Sequence, residues 1–416
     1  MTRPGLADIT RVFGRIGLLS FGGPAAQIAL MHRELVETRD WLSNDSFLRA
    51  LSLCMLLPGP EAMQLATYAG WRLQGTVGGL IAGALFVLPG ALVIGLLALG
   101  YALYGQLPLV QAGFAGIKAT VVVILLQALV KLSRKTLTTP TSLALATAAF
   151  AALFVFGLPF PLVIAGAALC GAIGTSTPAT APATPPPTRA RSLRTTVLWG
   201  TLWALPVLAV WLADQTFLTQ IALFFSKLAV VTFGGAYAVL AYMTQTVVQD
   251  FGWISTGQMI DALGLAETTP GPLILVTQFV ALLAGFADGG ITMALAAGGL
   301  ALWVTFTPCF LWIFLAGPYL DQIAARPRLS AALQAITAAV VGVILNLGLW
   351  FALHVLFREV RTGVWAALPW PTPASLDPAA LGLTALAALL LLGLKRGLAE
   401  TLALMALAGL GLSVLT

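Results

Sequence analysis

Charge is what this sequence has least of. Only 9% of its 416 residues are Asp, Glu, Lys or Arg, against about 25% in an ordinary soluble domain. With 59% hydrophobic residues and a mean hydropathy of +0.96, that scarcity excludes a soluble fold and predicts an integral membrane protein. Histidine and cysteine are nearly missing too. Two histidines, His32 and His354, cannot build a histidine-rich site. Cys54, Cys170 and Cys309 lie far apart in apolar segments, which argues against a disulfide framework or a thiolate metal site. Paired-aspartate motifs, nucleotide fingerprints and redox cysteine pairs are also lacking, so no enzyme, catalytic residue, metal or cofactor is expected. The N-terminus lacks the compact apolar core and small-residue cleavage site of a signal peptide, and no processing is expected. The formal charge of +6 comes from few residues, mostly at the ends of apolar runs. It reads as a membrane-orientation signal and not as a nucleic-acid footprint.

Long apolar runs are what the chain does have. Residues 77–104 ("VGGLIAGALFVLPGALVIGLLALGYALY") and 331–357 ("AALQAITAAVVGVILNLGLWFALHVLF") can each cross about 30 Å of hydrocarbon. They are continuous and lack period-2 alternation, so the spans are helices and not barrel strands. The expected fold is an all-α polytopic membrane protein with about 9–12 membrane segments, at roughly 20 residues per span.

The sequence repeats itself. Phe21-Gly22-Gly23 returns as Phe233-Gly234-Gly235, Trp41-Leu42-Ser43 as Trp253-Ile254-Ser255, and Pro58-Gly59-Pro60 as Pro270-Gly271-Pro272. Each pair is 212 positions apart (21 to 233, 41 to 253, 58 to 270). Downstream, "GIKATVVVIL" (116–125) resembles "AITAAVVGVI" (335–344), and Pro89 matches Pro308, at a spacing of 219. A short insertion in the second half therefore separates two registers. The halves are residues 1–173 and 196–416, the latter including a connecting helix. Between them lies a Pro/Thr/Ala-rich linker, 174–195, whose Arg189, Arg191 and Arg194 suggest the cytoplasm.

The loop "HRELVETRDW" carries Arg33 and Arg39, whereas its counterpart "TQTVVQDFGW" carries only Asp250. Positive-inside asymmetry puts the two loops on opposite faces, which makes the repeat an inverted one, the transporter pattern. The topology closes if each Pro-Gly-Pro segment is a broken, re-entrant hairpin. Arg358 and Arg361 do not fit this charge bookkeeping, although Glu359 lies between them.

Irregular backbone survives at membrane depth only where protein or water covers it. Two prolines around a glycine end the preceding helix, and the next helix starts at Glu61 in one half and Leu273 in the other. Helix starts attract anions. The candidate anion site therefore comprises Phe21, Gly22, Gly23, Pro58, Gly59, Pro60 and Gln64, with Gly234, Gly235, Thr268, Thr269, Pro270, Gly271 and Pro272. Each half also brings one carboxyl to its break, Glu61 and Glu267, which are candidates for carrying a proton; capping a helix end is the alternative use. Lys118, deep in an apolar run, is a candidate oxyanion holder, although a snorkelling lysine would be placed in the same way. Glu34, Arg39 and Trp41 sit in a loop, where an ion pair beside an interfacial tryptophan is the plain reading.

"FGGPAAQIALMHRELVETRDWLS" and "LCMLLPGPEAMQLATYAGW", with the second copies "FSKLAVVTFGGAYAVLAYM" and "GLAETTPGPLILVTQFV", resemble the long-chain, two-domain chromate ion transporters over both halves. The resemblance implies a bacterial inner-membrane protein that exports chromate, coupled to protons, and confers chromate resistance; some relatives are associated with sulfate. It puts weight on Phe21, Gly22, Gly23, Glu34, Arg39, Trp41, Pro58, Gly59, Pro60 and Gln64. The partners it implies are a chromate or sulfate oxyanion, protons and the lipid bilayer, with a homodimer left open. The second copy lacks the glutamate and arginine of the first loop.

Overall fold

The computed structural model describes residues 4–21, 23–173, 189–233, 236–320, 326–362 and 369–415. Gly22, Gly234, Gly235 and residues 174–188 of the linker lie outside the described residues. The fold is almost wholly helical: α1 (Leu6–Leu19), α2 (Gly23–His32), α3 (Asn44–Leu56), α4 (Glu61–Tyr104), α5 (Pro108–Thr136), α6 (Pro140–Phe154), α7 (Phe160–Ile173), α8 (Arg189–Leu212), α9 (Thr216–Val231), α10 (Ala236–Gln245), α11 (Thr256–Thr268), α12 (Val276–Ala316), α13 (Pro327–Leu356), α14 (Pro378–Ala388) and α15 (Leu398–Leu415). Between α13 and α14 sits a two-stranded antiparallel hairpin, β1 (Val360–Thr362) and β2 (Pro369–Pro371). Helix α8 begins at Arg189, inside the stretch read from sequence as linker.

Among the described residues five helical stretches are long and apolar enough to cross a membrane: Glu61–Tyr104, Pro108–Thr136, Ser192–Leu212, Leu273–Tyr319 and Pro327–Leu356. Their surfaces suit lipid as solvent. The apolar window of Ser192–Leu212 is only 6% buried, and Leu92 and Leu96 on α4 are 69% and 73% exposed. In hydrocarbon such exposure carries no hydrophobic penalty.

The repeat is visible in backbone conformation. Helices α3 and α11 share their bounds at the 212-residue spacing. A π-turn, Arg33–Glu37 or Thr246–Asp250, closes α2 and α10. A left-handed residue follows each, Asp40 (φ 49°) or Gly252 (φ 62°), and Trp41 and Trp253 donate their N–H groups to Leu35 and Val247, both at 2.9 Å. Helices α4 and α12 each break once more, at Gln74-Gly75 and Gly289-Gly290, where the glycines have φ/ψ of 64°/−157° and 68°/−157°. Only glycine holds that conformation without strain. At the first break the chain doubles back, for a Cβ on Gly70 would lie 2.3 Å from the Gly78 carbonyl oxygen and one on Gly78 2.4 Å from that of Gly70. Small residues permit this approach of helix to helix. The two breaks are 215 apart, as are Glu61 and Val276, where α4 and α12 begin. Three of the extra residues of the second half are thus the 3₁₀ turn Leu273–Leu275.

The chain forms two compact units, and each draws on both halves. The first comprises Met1–Leu99, Ser176–Val239 and Thr269–Ser330; the second Gly100–Thr175, Leu240–Thr268 and Ala331–Thr416. In the first unit α8 and α9 pack on α12. In the second, α5 is the hub on which α11, α14 and α15 pack, around Ala119, Val123, Ile124, Leu383, Ala387, Leu391 and Met405.

Candidate functional site

Each Pro-Gly-Pro tripeptide has one backbone N–H, that of its glycine, because proline has none. Buried away from water, that donor must find an acceptor. Gly59 donates to the Thr232 carbonyl (2.8 Å) and Gly271 to the Ser20 carbonyl (2.9 Å). Ser20 and Thr232 are themselves repeat equivalents, each directly before the phenylalanine of a Phe-Gly-Gly motif. Their hydroxyls bond back to the carbonyls of Ile16 and Leu228, both at 2.6 Å. The helix break of one half is therefore tied to the other half's Phe-Gly-Gly segment, reciprocally, and all of it lies in the first unit. Both glycines have positive φ, 121° and 89°.

Two glutamines extend the bracing. Gln27 Nε2 donates to the carbonyls of Gly271 (2.7 Å) and Ser20 (3.2 Å), and Gln64 Nε2 donates to the Pro58 carbonyl (2.7 Å). Gln64 also packs with Cys309 around Gly59: a Cβ there would lie 2.8 Å from Gln64 Nε2 and 2.9 Å from Cys309 Sγ. The side-chain oxygens of Gln27, Gln64 and Gln278 are buried without hydrogen-bond partners. Those acceptors suit water or a protonated group. Gly90 completes the packing, for a Cβ on it would lie 2.1 Å from the Pro270 carbonyl oxygen.

The structure places the other sequence candidates as follows. Gly23 opens α2 with φ 76°, and Phe21 is 44% exposed. Glu61 is the first residue of α4. Glu267 and Thr269 are buried, and the Thr268 hydroxyl is spent on the Leu265 carbonyl (2.7 Å). Glu267 and Thr268 belong to the second unit, Thr269 to Pro272 to the first. Glu34, Arg39 and Trp41 form a local cluster: the Arg39 guanidinium pairs with the buried Glu34 carboxylate and lies 5.8 Å from the centre of the Trp41 ring. The cluster fastens the π-turn to the loop that follows it.

Lys118 has a partner that sequence reasoning missed. In the second unit its Nζ lies 3.3 Å from Oδ2 of Asp261, a carboxylate with no solvent exposure, and the Tyr101 hydroxyl donates to the same oxygen at 2.7 Å. The charge of Lys118 is thus matched by a carboxylate. Asp261 sits within "GQMIDALGLAE", and a lone aspartate in a nearly uncharged helix was the available signal. Among the described residues no cluster of three or more His, Cys, Asp or Glu could hold a metal.

Membrane-length helices with a duplicated, mutually braced pair of helix breaks define a polytopic α-helical membrane protein of the broken-helix type found among secondary transporters. The chain matches the chromate transporter family over residues 7–172 and 219–412, and it belongs to that family. It is 32% identical over 340 residues to a probable chromate transport protein of Synechococcus elongatus, covering 82% of each chain. It is 29% identical over 357 residues to a chromate transport protein of Cupriavidus metallidurans (82% of this chain, 80% of the relative). To a chromate transport protein of Pseudomonas aeruginosa it is 31% identical over 348 residues (80% and 77%). No solved structure matches.

Proposed function

We propose that this protein carries chromate out of the cell across the bacterial inner membrane in exchange for protons, and so confers chromate resistance. The reciprocal bracing of the two helix breaks is the observation that supports it most. It holds interrupted backbone in a membrane protein's interior, where such backbone is tolerated only with a covering structure and serves ion and substrate sites. The oxyanion is assigned to the helix starts that follow Pro58-Gly59-Pro60 and Pro270-Gly271-Pro272, and proton exchange to Glu61 and Glu267. The halves are taken as inverted and the linker as cytoplasmic. An inside-negative potential is worth about 2.3 kcal/mol per charge per 100 mV, so a dianion leaves with roughly 4.6 kcal/mol in its favour. Export needs little further coupling, and uptake would need much.

The test is chromate accumulation by everted membrane vesicles containing the protein, with and without an acid-inside pH gradient and with sulfate as competitor. Gradient-stimulated chromate uptake is the expected result. Uptake indifferent to the gradient would remove the proton exchange. Sulfate flux without chromate flux would overturn the substrate.

A further inference from the structure

The second half carries something the first half lacks. In the first half α5 and α6 are joined by residues 137–139, whereas in the second α13 and α14 are joined by residues 357–377, which include the β hairpin. That insertion brings Arg361, on β1, to the rim of a cleft of about 170 Å³ between α6, α10 with its π-turn, and α13, all in the second unit. The volume is over ten times the roughly 10–15 Å³ that a single water needs.

The lining is rich in hydrogen-bond donors. It includes Thr244, Gln245, Gln249, Asn346 and Arg361 beside His354, and none of its described residues is a carboxylate. Thr244 is 3% exposed and its hydroxyl has no partner, an expensive arrangement unless something in the cleft completes it. Asn346 interrupts the apolar run 338–353 of a membrane-length helix, where a polar side chain needs a use. The His354 ring lies tilted against Trp350 with centres 4.2 Å apart, and its Nδ1–H donates to the Trp350 carbonyl at 2.8 Å.

The two hairpin arginines have different occupations. Arg358 is held by Asp377 at 3.1 Å. Among the described residues Arg361 pairs with the well-exposed Glu359, at 3.8 Å, and its side chain is 78% exposed. Arg358 and Arg361 are the residues that broke the positive-inside bookkeeping. The first has a local ion pair and the second lines the cleft.

We propose that this cleft is a second oxyanion subsite, distinct from the helix breaks, which takes a tetrahedral dianion in transit. Arg361 draws the anion to the rim, and the amides of Gln245, Gln249 and Asn346 with the Thr244 hydroxyl hold it. The proposal rests on the oxyanion reading of the family and extends it to a site whose polar lining comes from the second half, packed against α6 of the first.

The experiment uses the full-length protein in nanodiscs, with equilibrium binding of radiolabelled sulfate measured beside initial rates of chromate transport. Arg361→Gln, at an exposed position that leaves the fold intact, is expected to raise the apparent KM for chromate about threefold to fivefold, with the maximal rate nearly unchanged, as befits an exposed charge. Arg361→Lys should restore most of it. Asn346→Leu is expected to weaken sulfate binding roughly fivefold through one lost hydrogen bond. Arg358→Gln is the control, and an equal effect from it would show a diffuse surface-charge effect and overturn the subsite. Unchanged KM and sulfate binding in the Arg361 and Asn346 variants of a protein that binds sulfate would overturn the subsite alone. A wild-type protein that neither binds nor moves any oxyanion would overturn both readings.

Discussion

The Lys118–Asp261 pair gives the sharpest test of how this membrane interior is balanced. The Asp261 side chain is fully buried, while that of Lys118 is 23% exposed. At 3.3 Å and an effective dielectric constant near 20, the gross attraction is about 5 kcal/mol, most of it offset by the desolvation of two charges. The asymmetry in burial decides what each substitution costs. Lys118→Met strands a buried carboxylate, for an expected loss of about 3–5 kcal/mol. Asp261→Asn keeps an acceptor for the Tyr101 hydroxyl, and the partly exposed ammonium can turn toward water, so about 1–2 kcal/mol should be lost. The double variant leaves no unpaired charge and should resemble Asp261→Asn. The cycle then yields a coupling energy of roughly 3–5 kcal/mol, the cost of Lys118→Met alone, readable by equilibrium unfolding in detergent. Single substitutions that cost the same and add to within about 0.5 kcal/mol would refute the reasoning.

Gly90→Ala places a methyl group where the Pro270 carbonyl oxygen stands. It should cost about 1–3 kcal/mol by overpacking and lower chromate flux by displacing the second break, measured by thermal unfolding and vesicle transport. Pro58→Ala with Pro60→Ala allows a continuous helix and should reduce flux at normal protein level; normal flux would refute the role of the break. Glu61→Gln should abolish the pH dependence of transport, and unchanged pH dependence would remove Glu61 from proton exchange. Asp377 caps α14 through the amides of Ala379 and Ala380. Burial alone would raise its carboxyl, but the Ala380 amide, Arg358 and the Ala379 amide hold it below the usual value. A depressed carboxylate contributes stability above its unfolded pKa, near 3.9, and loses it as pH falls through the folded value. Asp377→Ala should therefore lose about 1 kcal/mol at neutral pH and show a flatter loss of stability below about pH 4 than the wild type, by thermal unfolding across pH.

The helices and the repeat were legible in the sequence because both rest on local patterns. Apolar length reveals a span, and proline beside glycine reveals a break. The partners were not legible, because they join residues remote in the chain. Nothing local to Gly59 shows that its N–H will find Thr232, nor does anything near Lys118 announce Asp261, 143 positions on (118 to 261). The extra residues of the second half could be counted from the change of register. Placing three of them in the turn Leu273–Leu275 required the backbone, which makes Val276 and not Leu273 the counterpart of Glu61. A positive-inside tally counts every arginine alike, and nothing local to Arg358 shows that Asp377 will pair with it.

The crossed hydrogen bonds also constrain how the two halves can exist. A buried amide left without an acceptor costs about 1–3 kcal/mol, and each half has one such amide at its Pro-Gly-Pro break. Neither half satisfies its own. Gly59 uses the carbonyl before the second Phe-Gly-Gly, and Gly271 uses the carbonyl before the first. The two hydrogen bonds are equivalent by repeat, but the glutamine braces are not: Gln27 and Gln64 face Val239 and Phe279 at the corresponding positions, 212 and 215 residues on. Polar reinforcement from these residues is thus concentrated in the first half, while the polar side chains of the cleft come from the second. Duplication supplied the interlocked frame, and divergence placed unlike chemistry on its two copies.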